Sequence, residues 1–277
     1  MLATLHLAKP YSWQGQFDDS LTLRTQEVIE AKNACCGSSS IPEGTPRSWR
    51  QDGGDRVSGS PLGMPRPRAI LFDWDNTLVD SWATIHEARN IVMAAMGMPL
   101  WSLAQTKERA RLSLRESFPR LFGERWEEAA RIYLDAFRAI HLDRLSALPG
   151  RGELLQALAE EGIFMGVVSN KTGALLRLEA EQIGWSPLFG SIIGAGDAAA
   201  DKPDAAPVRL ALEPSSIVVG ETVWFVGDTG VDIECARNSG CVPVLLGGEM
   251  PDKELARCTP RLVFSDCPAL FRFVRGL

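Results

Sequence analysis

From Ala69 onward the chain alternates short apolar runs with segments of helical spacing, and several of the runs stop at Gly, Asp or Ser. The runs are Ala69 to Phe72, Phe164 to Val168, Ser191 to Ile193, Val223 to Val226 and Val242 to Leu246. Short runs rich in β-branched and aromatic residues predict strands buried on both faces, as in a parallel sheet. Leu154 to Glu161, with Leu155 and Leu158 on one face, and Thr172 to Ile183 predict helices between them. The alternation implies an α/β fold, a Rossmann-like parallel sheet flanked by helices. One interval is too long for that scheme. Trp82 to Ser146 has no strand signature, and Ile85, Ala88 and Val92, then Ala130, Tyr133, Leu134 and Phe137, recur at helical spacing. A crossover connection needs only about a dozen residues, so this stretch predicts a separate helical subdomain. The expected division is an α/β core at 67–81 and 147–277 and a helical insert at 82–146. Leu148-Pro149-Gly150 marks the return to the core.

The first 66 residues differ in texture. From Cys36 to Arg68 the chain is rich in Gly, Ser, Pro and Arg, which cannot bury enough apolar surface to offset its ordering entropy. A disordered tail over 1–66 is expected, with helical spacing only around Leu21 to Ala34 and Met64 standing as an alternative start. The net charge of −6 argues against a nucleic-acid partner, which calls for a basic face. It is compatible with a small anionic substrate if a cation sits in the pocket. No apolar run reaches the roughly 18–20 residues that span a bilayer, and Met1 to Pro10 does not have the pattern of a secretory leader. A cytoplasmic monomer or homodimer is therefore expected. The six cysteines have neither a metal-site spacing nor the density of a disulfide scaffold.

The chemistry sits where the strands end, since ligands of open α/β sheets bind at the carboxyl edge. Asp73 and Asp75 follow the first strand, Ser169 and Asn170 the second, and Asp228 and Asp232 the fourth. Parallel strands would bring these groups to one edge, where the carboxylates repel one another. A divalent cation relieves that repulsion, and all-oxygen ligands point to magnesium. A lone Asp-x-Asp is weak evidence, and acidic residues at strand ends also serve turns and helix caps. The order of the parts is more specific: strand-Asp-x-Asp-x-Thr, strand-Ser-Asn, an isolated Lys202-Pro203, then strand-Gly-Asp-x-x-x-Asp.

Asp73-Trp74-Asp75-Asn76-Thr77-Leu78-Val79-Asp80-Ser81 resembles the first motif of haloacid dehalogenase-like phosphatases. Val168-Ser169-Asn170-Lys171 resembles the second, Asp201-Lys202-Pro203 the third, and Gly227-Asp228 through Asp232 the fourth. The likeness runs from Pro67 to Gly248, and its nearest branch is the phosphoglycolate phosphatase-like enzymes. It implies that the insert is a cap, that Asp73 is the nucleophile and that Asp75 is the general acid. Ser169, Asn170, Lys202 and Thr77 fall on the phosphate side, Thr77 also fixing the turn. Magnesium would be held by Asp73, the Asp75 carbonyl and Asp228, with Asp232 ordering a water or ligand. Crowding by other carboxylates is expected to raise the Asp75 pKa.

An acid at Asp75 favours a phosphatase over a dehalogenase, because an alkoxide leaving group needs a proton. The expected substrate is a small phosphomonoester such as 2-phosphoglycolate. A phosphomutase of the same superfamily and an idle scaffold are the alternatives, and Thr77 and the complete motif set weigh against them. Two departures stand out: Asn76 where glycine is usual, and no second proline after Lys202-Pro203. Asn tolerates the left-handed conformation, so the turn is expected to survive. Among rival roles, Lys171 competes with Lys202 for phosphate or is solvated at a helix start, and Asp80 caps a helix. His86 and His141 are expected to be structural, Trp82, Trp101 and Trp126 to anchor the insert's core, and Arg111, Arg115 and Arg120 to lie on an exposed helix face, the alternative being that a cap presents their guanidinium groups to a carboxylate.

Overall fold

A computed structural model describes residues 63–110, 112–247 and 258–277. The tail expected over 1–66 lies outside the described residues except for 63–66, where Met64 packs on the core and Arg66 pairs with Glu161. The expected helix around Leu21 and the side chain of Arg111 also lie outside them.

The sheet has six strands: β1 (Ala69–Phe72), β2 (Phe164–Thr172), β3 (Ser191–Ala195), β4 (Val223–Gly227), β5 (Val242–Leu246) and β6 (Leu262–Phe264). Their order is β3-β2-β1-β4-β5-β6, and every pairing is parallel. All four residues of β1 are fully buried. Ile70 and Phe72 face one apolar cluster and Ala69 and Leu71 the other, the period-two alternation of a strand covered on both faces. The flanking helices are α5 (Arg151–Glu160), α6 (Gly173–Gln182), α7 (Ala206–Leu212), α8 (Gly230–Ser239) and α9 (Cys267–Arg275). This is the α/β Rossmann-like architecture that the alternation predicts.

Between β1 and α5 come α1 (Trp82–Ala95), α2 (Leu103–Arg109), α3 (Leu114–Phe122) and α4 (Trp126–Ile140). They share an apolar cluster of their own, with Ile85, Ala88 and Val92 of α1 against Phe118 and against Ala129, Tyr133 and Phe137 of α4. Leu175 of α6 joins that cluster from the sheet side. The start of α2 is fixed by a capping box: Ser102 Oγ accepts from the Gln105 amide, and the Gln105 side chain accepts from the Ser102 amide. The two chain segments joining insert and core run side by side. Asp80 N donates to Ser146 O at 2.9 Å and Leu148 N to Leu78 O at 3.0 Å.

Two differences from the sequence expectation matter. β2 continues to Thr172 rather than stopping at Val168, through a break in its register with β3. Ser169, Asn170 and Lys171 thus lie within β2, in the break between its paired residues Val168 and Thr172. β6 is three residues long and has no apolar run of strand length to announce it. Among the described residues, no helix is long and apolar enough to cross a membrane.

Candidate active site

β1 lies at the switch of the sheet, with β2 on one side and β4 on the other, where ligands of open α/β sheets bind. Phe72 pairs with Val167 and with Val226, so the residues following each strand emerge together. The Asp73 amide donates to Val226 O at 2.9 Å, which ties the first carboxylate to the sheet. The chain then turns sharply. Asn76 takes φ 65°, the left-handed conformation expected of it, and its side-chain oxygen accepts from the Ser81 amide. Beneath the turn, Arg151 Nε donates to Thr77 O at 2.6 Å.

Asp73, Asp228 and Asp232 present oxygens that all lie within 4.8 Å of one another. Lys202 Nζ donates to Asp73 Oδ1 at 2.5 Å and to Asp232 Oδ1 at 2.7 Å. Asp232 also caps α8, its Oδ2 accepting from the amide and hydroxyl of Thr229 at 3.0 and 2.6 Å. The bland role and the functional placement of this aspartate therefore coincide. Gly227 permits the approach, since a Cβ there would stand 2.3 Å from the Asp232 Cβ.

Three carboxylates face one ammonium. Burial pushes Asp73 up to about 7, against the pull of Lys202 and with Asp232 and Asp75 adding to the rise. Burial also lifts Asp228 well above the usual carboxylate range, helped by Asp232 and Asp73. Burial alone would lower the Lys202 pKa, but Asp232 and Asp73 outweigh it and the pKa rises. The donor set fits a hard divalent cation: it is all oxygen, closely grouped and short of positive charge.

Asp75 belongs to a different constellation. It lies close enough to Asp73 for the two carboxylates to repel, and Lys171 Nζ lies 2.7 Å from its Oδ1. Lys171 Nζ also donates to Glu179 Oε2 at 2.5 Å. Glu179 in turn accepts from Trp74 Nε1 at 2.6 Å and bonds His141 Nδ1 at 2.8 Å. Lys171 is thus a buried, doubly paired residue of β2, not a solvated one at a helix start.

Asp73, Asp75, Ser169, Asn170, Lys202, Asp228 and Asp232 all line one cavity of ≈100 Å³. Thr77 does not line it. Its hydroxyl is fully buried and donates to Asp228 Oδ1 at 3.0 Å, which orients that carboxylate. Asn170 Nδ2 donates to Lys202 O at 3.1 Å, steadying the loop that carries the lysine.

The insert supplies the cavity's other wall. Trp82, Ile85, Arg89, Tyr133 and Phe137 line it, so Trp82 is a wall residue rather than a core anchor. His86 bonds Thr106 Oγ1 at 2.9 Å and is absent from the lining. Arg115, expected on an exposed face, instead reaches across to the core, where Nε and Nη2 each lie 2.5 Å from the buried Asp201 carboxylate. Glu179, Arg115 and Arg89 have no place in the motif reading. Arg89 carries a signal in its spacing, four residues after Ile85 and three before Val92, which puts it on the apolar face of α1.

The sequence profile of the haloacid dehalogenase-like hydrolases matches residues 70–245, more than half of the chain. A phosphoglycolate phosphatase of Xanthomonas campestris pv. campestris is 30% identical over 197 residues, covering 69% of this chain and 89% of that protein. One from Rhodospirillum rubrum is 29% identical over 216 residues, covering 74% and 89%. Among solved structures, a haloacid dehalogenase-superfamily hydrolase from Ehrlichia chaffeensis is 31% identical, with a TM-score of 0.54 over 78% of this chain and 99% of that one. A haloacid dehalogenase-like hydrolase from Streptococcus pneumoniae shares the fold at 22% identity, with a TM-score of 0.67 over 75% and 98%. The chain belongs to the haloacid dehalogenase-like hydrolase family, and within it is similar to phosphoglycolate phosphatases.

Proposed function

We propose that this hydrolase cleaves a small phosphomonoester, 2-phosphoglycolate being the first candidate, by way of a phosphoryl group carried on Asp73. The observation that carries the reading is the placement of Asp73. It follows the central strand, 2.5 Å from the Lys202 ammonium, in a cavity that Asp75 also lines. Ser169 and Lys202 would hold the phosphoryl oxygens, the lysine balancing their charge.

An Asp73 carboxylate oxygen attacks phosphorus, and the bond from phosphorus to the ester oxygen breaks. Asp75 gives its proton to the departing alkoxide. Lys171 fixes one Asp75 oxygen, which leaves the other outside that contact. Water then attacks the phosphoryl group, Asp75 takes the proton, and orthophosphate leaves with Asp73 restored. Asp73, the Asp75 carbonyl and Asp228 are the groups that would hold magnesium, with Asp232 behind them. When bound, the ion would neutralise charge on the carboxylates and the phosphoryl oxygens. Lys202 already contacts Asp73 Oδ1 and Asp232 Oδ1, which leaves Asp228 as the carboxylate of the three without an ammonium against it.

The helices at 82–146 would act as the cap, closing over substrate and excluding water. The paired linkers at Asp80–Ser146 and Leu78–Leu148 are a natural hinge. Phosphate release from a panel of small phosphomonoesters, with and without magnesium, tests the reading. Magnesium-dependent release is expected, and none from a folded chain across the panel would contradict it.

A further inference from the structure

Lys171 lies buried between two carboxylates, 2.7 Å from Asp75 Oδ1 and 2.5 Å from Glu179 Oε2. A lysine ammonium is a point charge on a flexible stem, so what keeps it against Asp75 has to come from its other partner. Glu179 is built for that hold. It stands on α6 and is 1% exposed. Its Oε2 accepts from Trp74 Nε1 at 2.6 Å as well as from Lys171, and its Oε1 bonds His141 Nδ1 at 2.8 Å. Trp74 stands between Asp73 and Asp75 in the chain, and His141 closes α4 of the insert. One carboxylate thus ties the turn after β1, the end of β2 and the insert together around Lys171.

The position is an expensive one for a charge. Glu179 shares the buried face of α6 with Leu175, Leu176 and Ala180, where an apolar side chain would pack without the cost of desolvating an ion. Glu179 is absent from the cavity lining, whereas Lys171 and Asp75 belong to it, so Glu179 reaches a ligand only through them. We propose that Glu179 is a positioning residue for phosphoryl transfer: it anchors Lys171, which holds one Asp75 oxygen and so sets the direction of the other, the one that hands its proton to the leaving group. The proposal rests on the reading of Asp75 as the general acid.

The test follows kcat/KM, which reports phosphoryl transfer to Asp73, for two kinds of ester in the full chain with magnesium. One is an alkyl phosphate, 2-phosphoglycolate or ethyl phosphate, whichever the wild type cleaves faster, whose alkoxide needs a proton to leave. The other is 4-nitrophenyl phosphate, whose stabilised phenolate leaves without one. In Glu179→Gln the alkyl ester is expected to lose about tenfold to a hundredfold, as a misdirected acid would. The aryl ester is expected to lose about threefold or less, since it makes little use of the acid. A purely structural role would slow both esters alike. His141→Phe removes one bond to Glu179, keeps a ring against Phe137, and strands nothing at Nε2, which is without a hydrogen-bond partner among the described residues. It should show the same preference on a smaller scale, and it carries the comparison if Glu179→Gln does not fold. Equal losses for the two esters, or no loss for either, overturn the proposal while leaving the phosphatase reading in place. No release from either alkyl ester by the wild type contradicts the phosphatase reading itself, and the proposal falls with it.

Discussion

Two parts of the cavity's lining, the carboxylates at the sheet edge and Arg89 on the insert, are electrostatic opposites. At the sheet edge three carboxylates share one ammonium, so the site is short of positive charge. At the insert the Arg89 guanidinium sits among aromatic rings with no carboxylate of the described residues paired with it. Burying charge is costly in both places, and a divalent cation would relieve the first. The difference teaches how burial of charge should be read. Carboxylates crowded at a strand edge call for a cation, whereas the Arg89 guanidinium is offset by aromatic faces alone.

Removing one buried cation from each part gives the sharpest contrast. Lys202→Met strands Asp73 and Asp232 and is expected to lower stability by about 3–5 kcal/mol. Arg89→Met removes a charge that has no partner to strand, and is expected to leave stability unchanged or raise it. The lost cation–π contacts, about 2 kcal/mol at most, are outweighed by the several kcal/mol that burying the ion costs. Denaturant unfolding of both variants checks this. Equal losses in the two would erase the distinction between the parts.

The cation-poor part predicts stabilisation by the metal itself. Magnesium at about a hundred times its dissociation constant should stabilise the folded chain by roughly 2.7 kcal/mol. Asp228→Asn should abolish most of that rise, measured by melting with magnesium and after chelation. A wild-type melting temperature indifferent to magnesium would remove the cation from that part.

The constellation under Asp75 gives a smaller effect with a defined pH signature. Burial would raise the Glu179 pKa, but bonds from His141, Lys171 and Trp74 outweigh it and hold the pKa below its ordinary 4.5. A depressed carboxyl contributes stability that is present above its unfolded value and lost as pH falls through the folded one. Stability should therefore decline below about pH 4.5 in the wild type, and the Glu179 share of that decline should vanish in Glu179→Gln. At neutral pH the substitution leaves Lys171 short of one buried partner and should cost about 1–3 kcal/mol. Unfolding curves across acid pH would show it.

The smallest effect is at the contact between insert and core. Arg115 is half-exposed although Asp201 is buried, so Arg115→Ala should change stability by under about 1 kcal/mol. A loss of several kcal/mol would mean that the contact is a structural strut rather than a surface pair.

The same contrast separates what was legible in the sequence from what was not. Asp73, Lys202, Asp228 and Asp232 follow strands or stand as isolated motifs, and parallel topology alone carries them to one edge. Asn76 was legible too, because few residues accept its φ of 65°. Lys171 was misplaced because β2 reads as ending at Val168, and nothing local announces the register break that carries it to Thr172. The contact of Asp75 with Lys171 was hidden for the same reason, since Lys171 lies in that extension. Thr77 shows the limit of motif reading: its position is fixed by the turn, but its hydroxyl goes to Asp228. Arg89 was hidden because an arginine on an amphipathic helix is ordinarily solvated. Only its spacing from Ile85 and Val92 points inward, and its partners Phe118 and Tyr133 come from other helices.

The central claim is that Asp73 carries the phosphoryl group. The direct test is mass spectrometry of the chain acid-quenched during turnover of its best phosphomonoester, with the Asp73→Asn variant alongside. A phosphoryl adduct on the peptide containing Asp73 is predicted, absent from the variant, with turnover of the variant reduced on the order of 10⁴-fold or more. Undiminished turnover by Asp73→Asn, or an adduct on another residue, would contradict it.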